Sequence, residues 1–281
     1  MRFTKMEGLG NDYIYVDCMK EHIENPEELA VRISDRHFGV GSDGLILVCA
    51  SEIADYKMVI YNADGSRAEM CGNGIRCVGK FLYDNGYVSG DMVSIETDAG
   101  VKTLTLIIKD GVCTGAKVDM GEPILVPKKI PVYWNADRMI DEEMEVGGKT
   151  YRVTCVSMGN PHAIVFTEDT ASMNLHAIGP LFEHHSLFPA RINTEFVKVI
   201  DKNTINMRVW ERGAGETMAC GTGACAAVVA SVLNHFCERD VKVILRGGEL
   251  TIHWDEATNH VIMEGAATEI CKGEYTAYGI H

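Results

Sequence analysis

AEMCGNGIRC, Ala68 to Cys77, and TMACGTGACA, Thr217 to Ala226, carry one Cys-Gly-x-Gly element in each half of the chain. Cys220 follows Cys71 by 149 residues, and the same offset lays further segments on one another without a gap. GND at Gly10–Asp12 falls on GNP at Gly159–Pro161, so Asn11 lands on Asn160. GLILV at Gly44–Val48 falls on NTEFV at Asn193–Val197, and MVIYN at Met58–Asn62 falls on MRVWE at Met207–Glu211. One CGxG is a common glycine turn; four segments in one register describe a duplicated domain with two equivalent sites.

The bulk properties agree with two domains. A chain of 281 residues can bury two cores, and 46% apolar with 23% charged residues is the balance of an ordinary soluble globular protein. No apolar run reaches the roughly 18 residues that span a bilayer. The opening MRFTKMEGLGNDY lacks the apolar stretch of a signal peptide, so the expected location is cytoplasmic, with no membrane partner. A net charge of −14 argues against nucleic acid, which needs a basic face. Ten cysteines without a secretion signal read as reduced thiols, most of them plain core residues.

Strands are expected at YIYVD (13–17), GLILVCA (44–50), YKMVIYN (56–62), MVSIETDAG (92–100) and VKTLTLIIKDG (101–111), from their β-branched and aromatic content and their Asp, Asn or Gly ends. The second half repeats them in AIVF, TEFVKVI, INMRVWE, VKVILRGGELTIHW and HVIMEG. NPEELAVRISD reads as a short helix with Asn25 as N-cap and Pro26 at its first position. IRCVGKFLYDNG, stopped by Asn85-Gly86, and the Ala-rich ACAAVVASVLNHF each read as a buried helix after a cysteine motif. The expected fold class is therefore α/β (α+β): two pseudo-symmetric domains, each a curved mixed sheet around a central helix, with the active site in the cleft between them. The limits are 1–118, completed by 266–281, for the first and 119–265 for the second, with the crossover near VDMGEPILVP (118–127). DEEMEVGG (141–148) reads as a solvated loop.

A cysteine placed directly before a helix meets the unpartnered N–H groups and positive potential of the helix start, so its thiolate is expected to form below the ordinary pKa of about 8.5. Two such thiols facing one cleft suit acid/base work on opposite faces of one carbon, the arrangement that inverts a stereocentre. The segments GLGNDY, NADGSRAEMCGNGIRC, GNPHA, INTEFV and WERGAGETMACGTGACA together resemble the diaminopimelate epimerases, over nearly the whole chain. The resemblance implies interconversion of LL- and meso-diaminopimelate, in lysine and peptidoglycan precursor synthesis, by a two-cysteine mechanism. It also implies no cofactor, no metal and a homodimer.

Carried over residue by residue, the resemblance makes Cys71 and Cys220 the acid/base pair. Gly72, Asn73, Gly221 and Thr222 would offer N–H groups to the carboxylate beside the reacting carbon. Asn11, Asn62, Asn160, Asn193, Glu211 and Arg212 would hold the far end of the substrate. Arg212 is a natural fork for a carboxylate, Glu211 can also position a thiol, and His162 would support one cysteine. The local alternatives are plain: Asn11 and Asn160 as turn residues, Arg212 paired with Glu211 or Glu216, His162 as a loop or capping residue, and Arg76, Cys77 and Cys225 as packing. His184 and His185 lack a nearby third ligand for a metal. The chain departs from the family pattern at Gly44, where Gln is usual, and at Cys271, where an aromatic residue is frequent. A Gln at position 44 would be tolerated if glycine leaves a gap and would clash if the surroundings have closed on it. Rival functions are a proline or hydroxyproline racemase, a thiol redox protein and a non-catalytic amino-acid-binding protein. Arg212 and the asparagines suit a substrate with a second charged end, which proline lacks.

Overall fold

The computed structural model describes residues 1–276, and it divides into two compact units, Met1–Val118 with the segment from Glu264 on, and Asp119–Met263. Residues 277–281, the end of the segment expected to complete the first domain, lie outside the described residues.

The first unit runs β1 (Arg2–Gly8), β2 (Asn11–Asp17), α1 (Pro26–Ser34), β3 (Gly44–Ala50), β4 (Tyr56–Asn62), β5 (Arg67–Ala68), α2 (Gly72–Asp84), β6 (Met92–Thr97), β7 (Gly100–Lys109) and β8 (Val112–Asp119). The chain continues with β9 (Glu142–Val146), β10 (Lys149–Ser157), β11 (Pro161–Phe166), α3 (Leu175–Glu183), β12 (Asn193–Asp201), β13 (Thr204–Glu211), β14 (Gly215–Glu216), α4 (Gly221–Leu233), β15 (Asp240–Leu245), β16 (Gly248–Trp254), β17 (Val261–Ala266) and β18 (Thr268–Glu274).

The offset of 149 is a structural repeat. It carries α1 onto α3 and α2 onto α4 end to end. Strand pairings repeat with it. β1–β2 is antiparallel, β2–β3 parallel, β3–β4 antiparallel, β4–β6 parallel and β6–β7 antiparallel. The second unit has the same series in β10–β11, β11–β12, β12–β13, β13–β15 and β15–β16. Even the outermost strand is matched, because β18 returns to pair with β1 as β9 pairs with β10. Within the first unit α2 touches β1, β2 and also β7, near the other end of the strand order, so the sheet curves around it. α4 touches β10, β11, β12, β15 and β16 in the same way, and every residue from Gly223 to Ser231 is buried. A helix surrounded by sheet has no polar face, which is why small apolar residues fill it.

Both central helices are bounded by the same chemistry. Cys71 and Cys220 are the N-caps, extended in backbone, each sulfur accepting from the third helical N–H. Asn85 and Asn234 are the C-caps, each side-chain amide donating 2.8 Å to the carbonyl four residues back. The next residue is left-handed in both, Gly86 at φ 75° and His235 at φ 60°.

One expectation needs correction. DEEMEVGG is not a loop: Glu142–Val146 is β9, with Met144 and Val146 buried on alternate positions and Gly147-Gly148 turning into β10 at φ 58° and 76°. Period-two burial overrides charge, and glycines at positive φ are the hairpin signal. α3 was not anticipated, because Gly179 and Pro180 look like helix breakers; Gly179 is there because a Cβ would lie 2.3 Å from Trp210. Asn25 stands at the α1 N-cap without a side-chain bond, whereas its repeat mate Asn174 accepts from Ala177 N–H at 3.3 Å.

Candidate active site

In the first unit Cys71 Sγ receives the Gly74 N–H at 3.3 Å and donates to Asn11 Oδ1 at 3.3 Å. Asn11 is fixed from its other end, Nδ2 donating to Asp43 Oδ2 at 2.8 Å. Arg36 in turn ties Asp43 and Asp12 together at 2.9 and 3.0 Å. Tyr13, two residues beyond Asn11, directs its hydroxyl to Cys71 and Asn11, and burial together with the neighbouring sulfur keeps that phenol protonated far above its ordinary range. At Gly74 a Cβ would sit 2.7 Å from Ile46 Cδ1 and 3.5 Å from Cys71 Sγ, so a larger residue there would displace the Ile46 side chain. Gly72 and Asn73 open α2, where N–H groups precede the first intrahelical bond. The Asn73 side chain accepts from the fully buried Arg76 at 3.0 Å, and Arg76 also bonds the carbonyls of Gly72 and Ala266. Asn62, at the end of β4, donates to Ser66 Oγ at 3.0 Å.

In the second unit Cys220 is buried, 3.4 Å from the Gly223 N–H and 3.5 Å from Thr222 Oγ1. His162 is completely buried, with Nδ1 2.7 Å from Glu195 Oε1 and Nε2 2.9 Å from Asn160 Oδ1. Glu195 reaches the start of α4 because residue 223 is glycine: a Cβ there would lie 2.5 Å from Glu195 Oε1. The other carboxylate oxygen of Glu195, Oε2, is buried without a hydrogen-bond partner among the described residues. Glu211 accepts from Thr217 Oγ1 at 2.5 Å and bonds Cys220; burial raises its carboxyl above the usual range. Asn193 is a clamp, Nδ2 donating to Pro161 O and Oδ1 accepting from Arg212 N–H, both at 2.9 Å. The Arg212 guanidinium is exposed and donates to Ala190 O at 2.9 Å, while Glu216 pairs with Arg208 and Arg246 at 2.8 and 3.1 Å. Neither acidic partner considered for Arg212 holds it.

The expected low pKa does not hold at Cys220. Burial first, then the negative charges of Glu211 and Glu195, push its thiol well above the ordinary value, and the opposing bonds from Thr222 and Gly223 are outweighed. The helix start remains, but desolvation beside two carboxylates dominates. Cys220 is a thiol at neutral pH.

Sequence reading missed Glu195, Tyr13 and Asp43. An acidic residue inside the fully buried run Asn193–Val197 was the available signal for Glu195. The repeat points to Tyr13, which stands where His162 stands in the second unit. Gly44 is the counterpart of Asn193, and a Cβ there would meet Tyr61 O at 2.2 Å and Tyr13 Cε1 at 2.8 Å. No gap was left by the missing Gln: backbone and ring have closed on the glycine. Cys77 and Cys225 are fully buried, Cys77 pushed up to about 12 by burial, as packing residues are. His185 bonds the Glu145 carbonyl at 3.1 Å, and no group of three metal-binding side chains is found among the described residues. Among those residues, too, no helix is long and apolar enough to cross a membrane.

A family model described as diaminopimelate epimerase matches residues 3–126 and 154–270, both units and both cysteine motifs included. The chain belongs to the diaminopimelate epimerase family. It is therefore an isomerase of the epimerase type. A diaminopimelate epimerase of Acetivibrio thermocellus is 58% identical over 276 residues, with 98% of each chain covered. Those of Desulfovibrio desulfuricans and Methanococcus maripaludis are 54% and 56% identical, covering 98% of this chain and 98% and 99% of theirs. Among solved structures, a Bacillus anthracis phenazine biosynthesis protein of the PhzF family shares the fold with TM-score 0.69 at 16% identity, covering 98% of both chains. A hydroxyproline epimerase from Agrobacterium vitis shares it with TM-score 0.68 at 14% identity, covering 98% of this chain and 90% of that one.

Proposed function

We propose that this member of the diaminopimelate epimerase family interconverts LL- and meso-diaminopimelate by moving one α-proton between Cys71 and Cys220. The observation that carries the reading is the repeated cysteine cap: each unit ends a loop with a cysteine whose sulfur lies at the start of a buried helix, in the same register. A thiolate takes the proton from Cα, leaving the electron pair on carbon and its carboxylate, and the opposite thiol delivers a proton to the other face. The two cysteines exchange protonation states in the turnover, and the reverse reaction exchanges them back.

An α-proton beside a carboxylate is weakly acidic, so the developing charge needs fixed positive potential. The N–H groups of Gly72 and Asn73 from α2, and of Gly221 and Thr222 from α4, supply it in this reading, with the Thr222 hydroxyl. Cys220, held as a thiol by burial and two carboxylates, is poised to act first as the acid. When it must act as a base, Glu211, hydrogen-bonded to it and itself raised by burial, accepts its proton. His162 is a positioning residue that holds Asn160 and fixes Glu195, whose charge acts on Cys220. In this reading Asn11, Asn62, Asn160 and Asn193 hold the far end of the substrate, and the exposed guanidinium of Arg212 takes its second carboxylate. That charged end favours diaminopimelate over proline, as does the fact that relatives near half identity bear the diaminopimelate epimerase name while the hydroxyproline epimerase shares the fold at 14% identity. The reaction serves lysine and cell-wall precursor synthesis. The need for two reduced thiols suits the cytoplasm, and the family resemblance supports a homodimer.

Purified, reduced protein given LL-diaminopimelate in chelator, without pyridoxal phosphate, is expected to form the meso isomer. Absence of turnover, or turnover of proline alone, would contradict the proposal.

A further inference from the structure

Cys18 and Cys49 belong to neither repeated motif, yet they form a second pair of thiols. β2 and β3 run parallel with Asp17 opposite Val48, and the ladder continues one step further, Cys18 N–H donating to Val48 O at 2.9 Å. This sets Cys18 beside Cys49 on the neighbouring strand. Side chains alternate along a strand, and Ile14, Val16 and Cys18 share a face with Leu45, Leu47 and Cys49; all six border one apolar cluster. Strands lie about 4.7–4.9 Å apart, inside the Cα separation of about 4.4–6.8 Å that a disulfide spans. The two thiols are hydrogen-bonded to each other. Both residues are half-buried at the end of the pair, so a small reagent reaches them.

Their surroundings differ. Lys57, the antiparallel partner of Cys49 across β3–β4, places its ammonium on that side, shared with Glu96 at 2.7 Å. Asp17 and Glu21 face Cys18. We propose that Cys18 and Cys49 are an intrachain dithiol site for small-molecule disulfides, in which Cys49 attacks and Cys18 resolves. The Cys49 thiolate attacks one sulfur of R–S–S–R; that bond breaks, a mixed disulfide forms on Cys49, and the first RS⁻ takes up a proton. Cys18 then gives up its proton and attacks the Cys49 sulfur, a Cys18–Cys49 bond forms and the second RSH leaves. The protein loses two electrons and the small disulfide gains them. The electrostatics support this order. The hydrogen bond from Cys18 lowers the Cys49 thiol below its ordinary value, burial opposing and Lys57 assisting. The same bond, with burial and the nearby negative charges, raises Cys18.

Reduced full-length protein is treated with glutathione disulfide, remaining thiols are alkylated, and the peptides are mapped. The expected product links Cys18 to Cys49. In Cys18→Ser, glutathione should stay attached to Cys49, because the resolving thiol is gone and the serine hydroxyl can still donate to it. In Cys49→Ser, Cys18 should be recovered alkylated. Recovery of both wild-type cysteines as alkylated thiols, while the exposed Cys271 carries glutathione as the control, would overturn the site. Glutathione on Cys18 in Cys49→Ser would overturn the assigned order.

Discussion

Tyr13 and His162 occupy the same place in the two units, each two residues beyond an asparagine that it contacts, yet one presents a phenol to Cys71 and the other an imidazole to Glu195. The repeat is a symmetric frame around unlike chemistry. Tyr13→Phe removes one hydrogen bond to the Cys71 sulfur and keeps the buried ring. kcat is expected to fall about ten- to a hundredfold with an unchanged melting temperature, since a bond to a charged group contributes about 1.5–3 kcal/mol. Unchanged kcat would show that the phenol only packs.

Glu211→Gln tests why Cys220 stays protonated. As pH rises, the raised Glu211 carboxyl ionises first and Cys220 must then ionise beside a negative charge. With Gln that charge is absent, so the pH at which Cys220 becomes reactive to iodoacetamide should move down, while burial and Glu195 keep it above the ordinary thiol range. Epimerisation should fall by about 10²-fold or more, the size of a lost acid/base partner. An upward shift of the alkylation profile would reverse the electrostatic reading.

Gly44→Gln places a Cβ against the Tyr61 carbonyl and the Tyr13 ring. Overpacking of this kind costs about 1–3 kcal/mol, so the melting temperature should drop and activity with it through Tyr13. A variant as stable as the parent would mean that β3 and β4 shift apart freely.

His235 repeats the left-handed position that Gly86 fills. His235→Gly should stabilise the second unit by about 0.5–1 kcal/mol, the difference between left-handed strain and the entropic cost of glycine. Denaturant unfolding reads this directly; a loss of stability would point to a native contact of the imidazole.

Much of this architecture was legible because it is written locally and twice. Cysteine before glycine and asparagine after an apolar run bound α2 and α4, and β-branched runs ending in turn residues gave β3, β4, β12 and β13. What escaped depends on partners distant in sequence. The strands β1, β10 and β18 are held by pairing rather than by composition. α3 contains Gly179 and Pro180, and only Trp210 explains the glycine. The protonation of Cys220 could not be read from its place before a helix, because the burial and the two carboxylates that decide it come from β12 and β13.

The two-cysteine mechanism is tested most directly by epimerising LL-diaminopimelate in heavy water and following both isomers at early times. Two opposed groups predict deuterium at one α-carbon of the meso product while unreacted LL substrate keeps its protium, because the proton removed by one sulfur is not the one returned by the other. Deuterium appearing in recovered LL substrate as fast as product forms, or product that retains the substrate hydrogen, would contradict it.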